Sequence, residues 1–172
     1  MKCADYWIER LRLEKHPEGG FFRETYRSSK KIDQCYPASR LKGSRPAATA
    51  VYFLLPGDKF SALHRLRSDE IWHHYDGTSL TIHMIDARGG YEKIFLGTDP
   101  DKDEEPQAVV PAGIWFGATV NDRDSYVLVG CTVSPGFIFQ DFEMARQDEL
   151  LRVYPEHKEI IEMLTYNSVP VP

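Results

Sequence analysis

"GDKFSALHRLRSDEIWHHYDG", residues 57–77, carries three histidines, a glutamate and two arginines between two glycines. Its second half, "DEIWHHY", reads as a strand, bounded by Ser-Asp on one side and Asp-Gly on the other. Side chains alternate along a strand, so if Glu70 points inward, Trp72 and His74 share its face and His73 points away. Asp76-Gly77 is a strong hairpin signal. A turn there sets residue 70 opposite residue 83 and places His83 beside Glu70, with Cβ atoms about 5 Å apart. The stretch is thus a metal site, an acid–base site, or a strand with a polar edge.

Outward from it, short strands recur. "GFFRETYRS" and "TAVYFLLPG" precede it; "LTIHMID", "YEKIFLG", "QAVVP", "GIWFGATV", "DSYVLVGCTV" and "FIFQDF" follow, each closed by Gly, Pro, Asp, Asn or Ser. Helices are expected only near the ends. Ala4, Trp7, Ile8 and Leu11 form one stripe of a helix over 4–13, stopped by "HPEGG". "ARQDELLRV" and "PEHKEIIEMLTY" return to helical spacing, with Pro155 suited to a first helical position. "SSKKIDQCYPASRLKGSRP" is a polar loop, long enough for a lid or a subunit contact, and "TDPDKDEEPQ" is a solvated acidic loop. The pattern predicts an all-β fold, a sandwich or barrel, as one domain over 1–172.

Charge and cysteine usage narrow the class. A formal net charge of −5 without a basic stripe argues against nucleic acid as a partner. The three cysteines, Cys3, Cys35 and Cys131, are odd in number and far apart, which suits reduced thiols. Neither a signal-peptide run nor an eighteen-residue apolar stretch is visible, so the expectation is a soluble cytoplasmic protein with no membrane partner. Cys131 in "LVGCTV" reads as a buried small hydrophobe. His16 and His157, beside prolines at element ends, read as structural or exposed, and His73 and His74 as strand surface or subunit contacts.

The spacing Gly57-x6-His64-x-Leu66-x3-Glu70-x6-Gly77 resembles the first motif of the cupin superfamily, G-x5-H-x-H-x3-4-E-x6-G, and "VVPAGIWFGATV" resembles the second. With "HPEGGFFRETYRSS", "LVGCTVSPGFIFQDFE" and "YPEHKEII", the chain from about 6 to 165 resembles the cupin type 5 family of predicted sugar epimerases. The resemblance implies a double-sheet jelly roll, like that of dTDP-sugar epimerases, with short N- and C-terminal helices. It also implies a homodimer in which "FFRETYRS" pairs with the partner's sheet. Many cupins hold a metal with two motif-one histidines, the glutamate and a motif-two histidine. In this chain Leu66 and Phe116 stand at two of those four positions, so the inherited metal site is broken and no cofactor is expected. The exception is a set of His64, Glu70 and His83, if the register holds.

The dTDP-sugar epimerases place a histidine base at the position that looks like His64, with a tyrosine as acid. The resemblance therefore implies His64 as base, Glu70 as the carboxylate that orients it and raises its pKa, and Tyr26 or Tyr52 as acid. Arg23, Tyr26 or Arg65 would supply donors to an enolate. Trp72, Trp115 and Phe116 would wall a pocket for a carbohydrate-like ligand, with His74 and His83 as further contacts. Three functions remain open: a metal-independent epimerase or isomerase, a non-catalytic ligand-binding protein, and a metal-dependent cupin enzyme.

Overall fold

The computed structural model describes residues 2–32 and 43–166. Helix α1 (Ala4–Leu11) opens the chain, followed by β1 (Glu14–Lys15), β2 (Phe21–Arg27), β3 (Lys31–Ile32), β4 (Arg45–Pro46) and β5 (Thr49–Pro56). Next come β6 (Phe60–Leu66), β7 (Asp69–Gly77), β8 (Leu80–Ile85), β9 (Tyr91–Leu96), β10 (Glu104–Glu105) and β11 (Gln107–Val110). Then β12 (Trp115–Val120), β13 (Tyr126–Ser134) and β14 (Phe142–Met144) lead into α2 (Gln147–Val153) and α3 (Lys158–Met163). Cys35 and the middle of the long polar loop lie outside the described residues.

Two six-stranded sheets face each other, in the orders β1-β2-β5-β13-β7-β11 and β10-β9-β8-β12-β6-β14. All pairings within them are antiparallel except β9 with β10. This is the expected jelly roll. Alternation explains its core: Phe53, Leu55, Trp72, Ile82, Phe116 and Val129 point between the sheets. The outer face of the first sheet packs against the Ala4, Trp7, Ile8 and Leu11 stripe of α1. The outer face of the second is covered from the α2–α3 region, through Leu150, Tyr154, Ile161 and Leu164.

Three expectations are corrected. The first helix stops at Leu11 because Arg12 turns left-handed, at φ 53°. "FIFQDF" is not one strand: Phe139–Asp141 is a 3-10 turn and only Phe142–Met144 extends. Asp141 is tied there, accepting two hydrogen bonds from the buried Arg45 guanidinium at 2.6 and 2.9 Å. The third concerns register. Glu70 pairs with Val133 and Val110, not with His83, because β13 and β11 occupy both edges of β7. After Gly77 the chain crosses to the other sheet, where His83 pairs with Lys93 and Gly117.

Candidate functional site

A cavity of about 100 Å³ opens between the sheets. Phe22, Phe53, Trp72, Phe137, Phe139 and Phe142 make its walls apolar, and His16, Glu18, His64 and Glu70 supply its buried polar groups. At the rim, Arg27 donates to both oxygens of Glu24, at 2.8 and 2.6 Å, and to the Phe137 carbonyl at 3.0 Å.

His64 is aimed by a β-bulge. His64 pairs with Phe116 and Ser61 with Ala118, so two residues of β6 oppose the single Gly117 of β12. The backbone groups freed by the bulge are all used. Ala62 N–H donates to the Glu18 carbonyl at 2.7 Å, and the Ala62 carbonyl accepts from His64 Nδ1 at 2.7 Å. Gly117 is required opposite the bulge, since a Cβ there would sit 2.7 Å from the Ser61 carbonyl oxygen. The His64 ring packs on Phe116, with centroids 4.1 Å apart.

Glu18 enters from the turn between β1 and β2, closed by His16 N–H on the Gly20 carbonyl and Gly19 N–H on the His16 carbonyl, both at 3.1 Å. Gly19 sits at φ +113°, and a Cβ there would lie 2.2 Å from the Phe60 carbonyl oxygen. Both the dihedral and the space demand glycine. Gly19→Ala is expected to cost on the order of 2–3 kcal/mol in urea unfolding. An unchanged midpoint would mean that the turn does not hold Glu18 as described.

The hydrogen-bond pattern assigns the protons. His64 Nδ1 spends its hydrogen on Ala62, which leaves a lone pair on Nε2, 3.2 Å from Glu18 Oε2. His16 Nδ1 accepts the Glu18 backbone N–H at 3.4 Å and lies 3.4 Å from the same Oε2. The His64 lone pair facing Oε2 favours a proton on that oxygen, while Oε1 accepts from the Ser61 hydroxyl at 2.9 Å. Burial accordingly pushes the Glu18 carboxyl up and His16 down. Burial outweighs the Ala62 hydrogen bond and brings His64 down to about 4. Burial, with the adjacent Glu18 carboxyl adding to it, pushes Glu70 up to about 8. At neutral pH the cavity therefore holds uncharged imidazoles and a Glu70 that carries its proton.

Of the residues expected in the site, His64, Glu70 and Trp72 line the cavity together, and Phe116 backs His64. Glu70 is not the orienting partner of His64; Ala62 and Glu18 are, and His64 is lowered rather than raised because burial wins. Tyr26 is 54% exposed, and a bulge between Glu24 and Tyr26 precedes it. Arg23 and Tyr52 pair with each other across β2 and β5, and the guanidinium lies 5.7 Å from the Tyr52 ring. Tyr52 also packs with the α1 cluster on the outside of the first sheet. Trp115 is buried under the C-terminal helices, with the Arg65 guanidinium 4.3 Å over its ring. His74 sits beyond a bulge, with Nε2 3.1 Å from the Thr78 carbonyl. His83 is occupied by Tyr91 OH at 2.7 Å and Thr119 Oγ1 at 3.0 Å, behind the second sheet. The set His64, Glu70 and His83 is therefore not assembled, and no group of three His, Cys, Asp or Glu among the described residues could hold a metal ion. The donors that metal-binding cupins use do not fit one here. His16, expected to be structural, and Glu18 are the members that sequence reasoning missed. Cys131 is buried, and burial pushes its thiol well above the ordinary value.

Known proteins agree with this architecture. Residues 5–145 match the family described as Cupin superfamily (DUF985). The uncharacterized protein YML079W of Saccharomyces cerevisiae is 28% identical over 152 residues, spanning 83% of this chain and 76% of that one. Protein SO0799 from Shewanella oneidensis, solved by crystallography, is 42% identical, with a TM-score of 0.87 over 98% of this chain and 100% of its own. A hypothetical protein from Leishmania major is 36% identical, with a TM-score of 0.88 over 96% of this chain and 100% of its own. Oxalate decarboxylase from Bacillus subtilis shares the fold alone, at 15% identity and a TM-score of 0.56, and this chain spans 40% of its length. With the family match covering most of the sequence and the two-sheet roll beneath it, the chain belongs to the cupin superfamily, in its type 5 family.

Proposed function

We propose that the protein is a small-molecule-binding cupin that moves a proton on a compact, carbohydrate-like carbonyl ligand, an isomerase or epimerase without redox chemistry. One observation carries this reading. The His64 imidazole on β6 and the Glu70 carboxyl on β7 line one cavity from opposing sheets, and burial favours the neutral form of each. Environments that push two titratable groups apart in this way divide them into a base and an acid. When the Glu18 Oε2 proton turns away from His64, the Nε2 lone pair is free for the ligand. His64 then takes a proton from the carbon beside the carbonyl, and Glu70 gives one to the oxygen. The aromatic walls suit the C–H face of a sugar, and the cavity takes a small ligand or the reacting end of a larger one.

Wash-in of deuterium from D2O into dihydroxyacetone and D-erythrulose tests this reading. Wild-type protein is expected to accelerate exchange at the carbon beside the carbonyl. A ketose that raises the melting temperature without exchanging above the buffer rate would make the protein a ligand binder only.

We also propose a homodimer through β2. Strand β1 pairs only with Phe21 and Phe22, which leaves the rest of that edge unpaired among the described residues. Sedimentation at micromolar concentration should give a dimer; a stable monomer would reject it.

A further inference from the structure

Two buried polar atoms have no hydrogen-bond partner among the described residues: Glu70 Oε2 and Trp72 Nε1. Their residues are 8% and 1% exposed, stand two apart on one face of β7, and both line the cavity. Buried polar groups are nearly always satisfied, so an adjacent unsatisfied pair facing a cavity marks where a ligand completes the set. We propose that Trp72 Nε1–H and the Glu70 carboxyl form a two-donor seat for one carbonyl oxygen, so that the cavity takes an uncharged ketone or aldehyde and rejects carboxylates and phosphates. This rests on the proton-transfer reading above and names its substrate class.

The chemistry of each group sets the choice. Indole nitrogen only donates, so whatever meets Trp72 must accept, which excludes an ammonium. An anion would lie beside Glu18 and Glu70 with no available cation. Among the described residues lining the cavity, Arg27 is committed to Glu24 and Phe137, and His16 and His64 are uncharged. A carbonyl oxygen accepts from both donors at once. When His64 Nε2 removes a proton from the neighbouring carbon, the C–H pair becomes the C=C bond. The C=O π pair moves to oxygen, which takes the Glu70 proton to give the enol, and return of the protons restores the carbonyl without oxidation or reduction. The groups facing Glu70 are Glu18 from the β1–β2 turn, which as a charge would push its carboxyl up, and Trp72 and Cys131, which as donors would hold it down.

Cyclopentanone and cyclopentanecarboxylate, each titrated by ¹³C NMR, are the probes. Wild-type protein should bind the ketone saturably, move its carbonyl resonance downfield, and prefer it to the carboxylate. Trp72→Phe, which keeps the ring bulk, should weaken the ketone by about 10-fold and reduce the downfield shift. Glu70→Ala should do the same, while Glu70→Gln, which still donates through its amide, should bind within a few-fold. Ketone binding by wild type should fade as pH rises past about 8, and by Glu70→Gln should not. Absence of saturable ketone binding, preference for the carboxylate, or ketone binding unchanged in both Trp72→Phe and Glu70→Ala would overturn the seat. Loss of ketone affinity in these variants without ketose exchange in wild type would uphold the seat and reject the proton transfer. Exchange in wild type with ketone affinity unchanged in the variants would do the reverse.

Discussion

In a His64→Asn protein, deuterium wash-in beside the carbonyl is expected to fall by about 10²–10⁴-fold, with the ligand held within a few-fold of its wild-type affinity. A base acts mainly in the transition state, so its loss appears in the rate and little in ground-state binding. Asparagine can still donate to the Ala62 carbonyl but has no lone pair basic enough to take a carbon-bound proton. The change also removes ring contacts with Phe116 and Phe142, so a stability loss of about 1–3 kcal/mol accompanies it. That loss would follow equally if His64 were only a satisfied core residue; the two roles part on the exchange rate. A folded His64→Asn protein that exchanges at the wild-type rate would end the catalytic role.

The second large effect is on stability against pH. Glu70 rises from 4.5 to about 8 on folding, so between those values the native state keeps a proton that the unfolded state has released. Its contribution is fully present below pH 4.5 and is lost as pH rises through about 8. His64 and His83 move the opposite way, from 6.5 to about 4, so their contribution is lost as pH falls through that range. The opposing slopes overlap below pH 6.5, and above it the two histidines no longer oppose the Glu70 slope. Between pH 6.5 and 8 the Glu70 share of the slope is about 1.4 kcal/mol per pH unit, stability falling as pH rises. Glu70→Gln keeps the shape without the titration and should flatten the profile by that amount. Urea unfolding at a series of pH values checks it, and an identical slope in the variant would mean that Glu70 does not hold its proton on folding.

How far this site was legible in the sequence follows from the range over which each signal acts. The His64 and Glu70 spacing is local to adjacent strands, and so is the alternation that turns Trp72 inward beside Glu70; both survive folding. Glu18 was hidden because Pro17, Gly19 and Gly20 around it read as a helix stop, which they also are. Its purpose emerges only when the turn closes on Ser61, 43 residues away. His83 was misplaced because a hairpin rule knows the turn and not the neighbours. With both edges of β7 already paired, the strand after Asp76-Gly77 had to join the other sheet. Trp115 and Phe116 are adjacent on one strand and so face opposite sides, a separation that alternation predicts and motif comparison passed over. Tyr26 follows a bulge that no residue type nearby announces.

At neutral pH the cavity holds a neutral acid opposite a neutral base. Side-chain carboxyl ¹³C resonances of glutamate-labelled protein report it directly, with the Glu70→Gln variant identifying the Glu70 signal. This resonance is expected to titrate near pH 8, with Glu70 protonated at pH 7. A midpoint near the ordinary 4.5 would contradict it, leaving a carboxylate with no proton to give.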